Sequence, residues 1–171
     1  YWIVSSYLIY LIIIAYFLPV FMKNRKPFDF QKLSVYVDAI LICTSSYFLF
    51  LSAFAWFTVY NWICQPILSV EDPTSVIHAD FCWQFLITRY IYMLHSLPFV
   101  LAKRDGPLAK YILVHHFLFP LMVWSVVNYS PGGHVTFVGL VNSFTHLLLF
   151  GIKFVIIKWP QVKKIRRVFH V

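Results

Sequence analysis

Residues 1–22 read YWIVSSYLIYLIIIAYFLPVFM, with no charged side chain from Tyr1 to Met22, and run into the basic cluster Lys23-Asn24-Arg25-Lys26. A helix needs roughly 20 apolar residues to cross about 30 Å of hydrocarbon, so this stretch reads as a membrane span. It opens without a basic segment, is long enough to cross, and has no small-residue cleavage site before Lys23. The expectation is therefore a retained helix and not a cleaved secretory leader. Outward from it, four more uncharged or nearly uncharged stretches end at charged or turn-forming clusters. The expected spans are residues 1–22, 33–57, 81–102, 111–129 and 135–157, with ends good to about two to four residues. A basic tail covers 158–171.

Composition agrees on the solvent. Hydrophobic residues make up 61% of the chain, aromatics 20% and charged residues only 12%, too apolar a mixture to enclose in a water-facing surface at this size. The fold class expected is all-α, a polytopic transmembrane helix bundle forming one domain over residues 1–171. The formal net charge of +8 does not point to nucleic acid, because the basic residues follow the loops. Lys23, Arg25, Lys26 and Lys32 lie between spans one and two, and Lys103, Arg104 and Lys110 between spans three and four. Lys158, Lys163, Lys164, Arg166 and Arg167 follow span five, while the other two connections carry neither Lys nor Arg. Positively charged short loops stay in the cytoplasm, which puts the N-terminus on the far side and the Lys158 tail inside. Cys43, Cys64 and Cys82 suggest no disulfide framework, although Cys64 and Cys82 flank one loop and are the pair that it can bring together.

Ionisable groups inside the spans point to function, since each costs about 2.5 to 3.5 kcal/mol to insert and normally faces protein or a watery cavity. Here they are Asp38, Arg89, His95, His115, His116, His146 and Lys153. Lys153 is expected to snorkel to the cytoplasmic face, and Asp38 to reach water near its helix start. Arg89 lies deeper and needs a partner. Measured from the cytoplasmic ends of their helices, His115, His95 and His146 lie about 6, 10 and 16 Å deep, one layer drawn from three spans. Asn142 and His146 share a helical face, with Lys153 further along it, and Arg89, Tyr92 and Ser96 share a face of span three. A lone membrane histidine more often bonds a neighbouring helix than reacts, and agreement in depth weakens that reading. No metal is expected: adjacent His115 and His116 point about 100° apart, and no His-x-x-x-His, Glu-x-x-His or Cys-x-x-Cys pattern supports one.

Met22-Lys23-Asn24-Arg25-Lys26-Pro27-Phe28, Thr88-Arg89 through His95-Ser96, and Leu101 to His116 follow one another in order. Trp124, Pro131-Gly132-Gly133 and Asn142-Ser143-Phe144-Thr145-His146 continue the series. In order and spacing this series resembles the ELO family of fatty-acid elongases, the condensing enzymes of the endoplasmic reticulum. The second segment is similar to the family's Ser-Lys-x-x-Glu-x-x-Asp-Thr region, the third to its Leu-Arg-Lys-Lys stretch and His-x-x-His-His box, and the last to its Asn-x-x-x-His. Departures are clear: Ile112 stands where the box has its first histidine, His95 where the family has aspartate, Tyr92 where it has glutamate and Ala102 where it has arginine. Phe150-Gly151-Ile152-Lys153 replaces Tyr-x-Tyr-Tyr. The family has seven spans, and these residues are expected to hold five. The tail then resembles the entrance to a sixth, or forms a surface-lying amphipathic segment.

The resemblance implies condensation of a fatty acyl-CoA with malonyl-CoA to a 3-oxoacyl-CoA, with loss of carbon dioxide, by a multi-pass protein of the endoplasmic-reticulum membrane that needs no cofactor. It implies catalytic roles for His115, His116, His146 and Asn142, with Arg89, His95, Lys103, Arg104, Lys110 and Lys153 as substrate-binding residues. A neutral imidazole is a competent acyl acceptor near pH 7. Partners beyond acyl-CoA, malonyl-CoA and the lipid bilayer are a second copy of the chain or other enzymes of the elongation cycle. Two readings compete. One is a catalytically silent elongase-like protein that binds acyl-CoA or lipid, favoured by the substituted motif positions. The other is a transporter or channel with a polar midplane.

Overall fold

The computed structural model describes residues 2–69, 71–104 and 106–159, and every regular element among them is helical. The first span is one rod made of α1 (Trp2–Leu11), a π-helical segment (Ile12–Phe17) and α2 (Leu18–Met22). The π segment has a local cause. Pro19 has no N–H, and its ring crowds the carbonyl four residues back, so the turn before it widens and the Leu18 N–H reaches the Ile13 carbonyl, five residues earlier. Then come α3 (Gln31–Thr58), α4 (Pro73–Leu94), α5 (Leu97–Leu101), α6 (Pro107–Tyr129), a 3₁₀ turn (His134–Thr136) and α7 (Phe137–Lys158).

Helices lie over four of the expected stretches to within a few residues, and over the third they do not. Instead of 81–102, the helix starts at Pro73 and breaks after Leu94. Its start is an Asp-Pro cap: Asp72 Oδ1 accepts the Thr74 hydroxyl at 2.6 Å and its N–H at 2.8 Å, with proline at the first helical position. Those bonds from Thr74 hold the Asp72 carboxyl below its ordinary range. Its end is set by Pro98, which cannot donate to the carbonyl four residues back. The His95 and Ser96 N–H groups instead turn back three residues, to Tyr92 at 3.1 Å and Met93 at 3.0 Å.

Among the described residues four stretches are long and apolar enough to cross a membrane: Ser5–Met22, Leu33–Thr58, Ala109–Tyr129 and His134–Lys158. α4 has the length without the apolarity, carrying Asp80, Gln84 and Arg89. It turns Cys82, Phe85, Leu86, Arg89, Tyr92 and Met93 to its neighbours. α3 lies along α7 and α4 along α6, with Ser45, Ser52 and Ser143 buried. Small side chains let membrane helices approach closely where apolar driving force is weak. Phe48, Phe85, Leu86 and Val123 form the centre. Tyr7, Tyr10 and Met93 tie the first rod to α4, and the Tyr10 hydroxyl donates to the Met93 carbonyl at 3.2 Å. Leu8, Ile12, Ile40, Phe50, Phe54 and Val114 face outward, a surface suited to lipid and not to water.

The connections sort by charge. The Phe28 N–H donates to the Leu101 carbonyl at 3.1 Å and Lys103 Nζ to the Lys23 carbonyl at 3.4 Å, so the two basic loops share one end. At the other end the His134 N–H donates to the Gln65 carbonyl at 3.0 Å and the Gln65 N–H to His134 Nδ1 at 3.3 Å. There Gly132 adopts φ 76°, and a Cβ on it would lie 2.8 Å from His78 Nδ1, so that turn takes no larger residue. Cys43, Cys64 and Cys82 are all free thiols. The basic tail lies outside the described residues beyond Trp159.

Candidate functional site

Three helices bring polar side chains together. α4 contributes Arg89 and Tyr92 one turn apart and, after its break, His95 and Ser96. α6 contributes His115 and His116, and α7 contributes Asn142 and His146 on one face. Pro120 stands four residues after His116, so the His116 carbonyl receives no N–H from that position.

Arg89 is the hub. It is 1% exposed, and its Nη1 donates to Asn142 Oδ1 at 2.8 Å and to His146 Nδ1 at 3.0 Å. Asn142 Nδ2 in turn lies 3.2 Å from His115 Nε2. The guanidinium carbon stands 4.2 Å from the ring centres of both Phe85 and Tyr92, stacking that offsets part of its desolvation. Its Nε and Nη2 have no hydrogen-bond partner. Ring centres of His115 and His146 are 5.4 Å apart, His116 and His146 5.7 Å, and His95 and His116 5.8 Å. Ser96 Oγ and His116 Nδ1 share a bond of 3.2 Å. The partner that Arg89 needed is thus a set of neutral acceptors.

A second polar cluster adjoins the first and corrects two expectations. Asp38 does not reach water: it is wholly buried, accepting the Ser34 hydroxyl at 3.1 Å and Lys153 Nζ at 2.8 Å. Lys153 does not snorkel, because its amine is held by that carboxylate across α3 and α7, with its side chain 15% exposed. His95 Nε2 stands 3.6 Å from the same Asp38 oxygen.

Both clusters border one cavity of about 730 Å³. It runs along α6 from Pro107 to Phe119 and along α7 from Val138 to Lys153, roughly 18 to 22 Å of helix. Arg104 and Lys153 stand at the basic end, His95, His115, His116, Asn142 and His146 line the middle, and Phe119 and Val138 lie beyond them. Most of the remaining lining is apolar. Arg89 stands behind the wall, and Lys103 and Lys110 lie on the exposed end of the bundle and do not line the cavity. Among the described residues, no three His, Cys, Asp or Glu side chains are grouped to hold a metal ion.

A family model described as ELO: GNS1/SUR4 family matches residues 1–168. The chain belongs to this family. It is similar to very long chain fatty acid elongase 7 of Drosophila melanogaster, 29% identical over 85% of this chain and 45% of that one. The likeness to human very long chain fatty acid elongase 1 is 28% over 77% and 48%, and to elongase 5 of Rattus norvegicus 31% over 83% and 47%. The chain spans about half the length of these relatives.

The positions that the sequence resemblance marks as departures from the ELO pattern have specific surroundings. Tyr92, in place of glutamate, shares a 2.8 Å bond between its hydroxyl and Ser45 Oγ, donates to the Leu41 carbonyl at 3.2 Å, and lays its ring 5.1 Å from that of His146. Ile112, in place of histidine, lines the cavity. At His95, in place of aspartate, a carboxylate is still present in space, supplied by Asp38 from α3. Sequence reasoning missed that pairing, although a carboxylate and an amine in two apolar spans were its visible signal.

Proposed function

We propose that this chain holds the reaction centre of a condensing enzyme that lengthens a fatty acyl-CoA by two carbons. One observation carries the reading: two helices, α6 and α7, bring His115, His116, His146 and Asn142 to the middle of a largely apolar cavity with cations at one end. A hydrocarbon chain suits the apolar part, and a CoA phosphate suits the end where Arg104 and the nearby loops lie.

The steps balance as follows. A neutral imidazole nitrogen of the pair His115 and His146 attacks the thioester carbonyl, forming an N–acyl bond. The C–S bond breaks, and CoA leaves as the thiol with the proton that the imidazole gives up. Malonyl-CoA then loses carbon dioxide. The electron pair left on its C2 attacks the acyl carbonyl, forming the new C–C bond; the N–acyl bond breaks, and the leaving nitrogen takes up one proton from water, which restores the neutral imidazole. The product is a 3-oxoacyl-CoA. Holding both reactants dry and aligned supplies much of the acceleration. In this reading α4 also crosses the bilayer, shielded by its neighbours, and the chain lies in the endoplasmic-reticulum membrane with Lys23 and Lys103 facing the cytoplasm.

A silent acyl-CoA-binding homologue is the second reading, favoured by Tyr92, His95 and Ile112 at motif positions. One experiment separates the two. Protein in lipid nanodiscs is incubated with a long-chain acyl-CoA and weighed intact, then given malonyl-CoA. The elongase reading expects an acyl adduct that is absent in His115→Ala and is discharged as 3-oxoacyl-CoA. Folded protein that binds acyl-CoA yet shows neither adduct nor carbon dioxide is the silent binder.

A further inference from the structure

Arg89 touches two of the groups assigned to acyl transfer without lining the cavity. A guanidinium has hydrogens to give and no lone pair to accept with. Whatever bonds to Arg89 must therefore present an acceptor, and this fixes roles that the other partners leave open. Its bond to His146 at 3.0 Å requires the lone pair on Nδ1, so in the neutral ring the proton sits on Nε2. Its bond to Asn142 at 2.8 Å requires the carbonyl oxygen of that amide, which turns the NH₂ group towards His115 Nε2 at 3.2 Å. His115 must then accept at Nε2 and carry its proton on Nδ1.

We propose that Arg89 is a positioning residue that sets the two imidazoles in opposite tautomers, directly for His146 and through Asn142 for His115. The consequence is a division of labour, and it rests on the condensation reading given above. His115 holds its only lone pair at Nε2, in a ring that lines the cavity, and is the nucleophile. The lone pair of His146 is turned away against Arg89, so the ring has only its Nε2–H to offer and serves as donor to the oxyanion that forms on the acyl carbonyl. When the thioester arrives, the Asn142 bond to His115 Nε2 is exchanged for the new N–acyl bond. A substrate-binding role for Arg89, expected from sequence, gives way to this one, since the guanidinium stands behind the wall.

The test reads protons and chemistry separately. Full-chain protein labelled with ¹⁵N-histidine in nanodiscs is examined by NMR, where protonated and bare imidazole nitrogens differ in shift. His115→Gln and His146→Gln spectra identify the signals. Wild-type protein should show His115 protonated at Nδ1 and His146 at Nε2, and Arg89→Lys, still a pure donor, should keep both. Arg89→Gln, which donates and accepts, should mix the tautomers and slow acyl-adduct formation on the order of 100-fold or more, as wrong-tautomer variants do elsewhere. The proposal is overturned if wild-type His115 carries its proton on Nε2, if His146 carries its proton on Nδ1, or if a folded Arg89→Gln leaves both unchanged. Should Arg89→Gln not fold, the wild-type assignment decides alone. Correct tautomers with no adduct in any form would sink the condensation reading and leave the positioning role standing.

Discussion

The two buried polar clusters treat charge in opposite ways. At Asp38 the anion meets its cation directly: Lys153 Nζ lies 2.8 Å away, and the carboxylate is fully enclosed. At Arg89 a guanidinium that is 1% exposed meets an amide, an imidazole and two aromatic faces. A paired charge fastens helices to one another, here α3 to α7. A cation met by neutral acceptors fastens less, since its desolvation is met only in part, but it dictates where its neighbours keep their protons. The difference separates architecture from chemistry, and substitutions at each cluster should part the same way.

The largest effect belongs to the paired cluster. Lys153→Met leaves Asp38 buried with no cation donating to it, which should cost about 3 to 5 kcal/mol of stability. Asp38→Ala should cost less, because the Lys153 side chain keeps 15% of its exposure and its amine has a route to water. Replacing both by leucine should return stability to near wild type. Thermal unfolding in nanodiscs measures all three, and equal losses in the two single variants would break the architectural reading.

Arg89→Met makes the contrast sharp. It removes the charge along with the contacts, so relief of desolvation offsets the orphaned Asn142 oxygen and His146 nitrogen, and stability should fall by no more than about 2 kcal/mol. Acyl transfer should still drop on the order of 100-fold. A variant that loses stability as Lys153→Met does, with the activity of its folded fraction intact, would place Arg89 with the architecture.

This division also marks what the sequence disclosed. The spans over α3, α6 and α7 were legible because apolar runs of that length admit few other readings, and the histidine layer was legible because depth follows from residue count. α4 was misplaced because its Asp72-Pro73 start lies in a polar stretch that a search for apolar residues ignores, and its break follows from Pro98 within an otherwise apolar run. Arg89 and Asp38 were visible as charges, but their partners sit 53 and 115 residues away. Nothing local selects Asn142 over water or Lys153 over lipid headgroups.

A smaller effect tests the substituted motif position. His95→Asp restores the residue that the ELO pattern expects, yet the ring it replaces stands 3.6 Å from Asp38. The variant would crowd two carboxylates around one ammonium, and should lose stability that Asp38→Asn, made in the same protein, gives back. The coupling expected from such a cycle is about 1 to 3 kcal/mol, read from thermal unfolding of the two single variants and the double. Additive losses would mean that Asp38 does not stand in for the missing family aspartate.

The smallest effect lies where neither cluster reaches. Lys103 and Arg104 are exposed at the basic end, with the Lys103 amine 3.4 Å from the Lys23 carbonyl and Arg104 reaching the cavity rim. Exposed charges contribute little to folding, so replacing both by glutamine should shift stability by no more than about 0.5 kcal/mol. Their field still acts on an approaching polyanion. Acyl-CoA binding should weaken less than about tenfold at low salt, and the difference should shrink as added salt screens the phosphates. A loss that persists at high salt would mean that the two side chains touch the ligand inside the rim. Unchanged binding at every salt concentration, together with altered membrane insertion, would leave them only the task of keeping their loop in the cytoplasm.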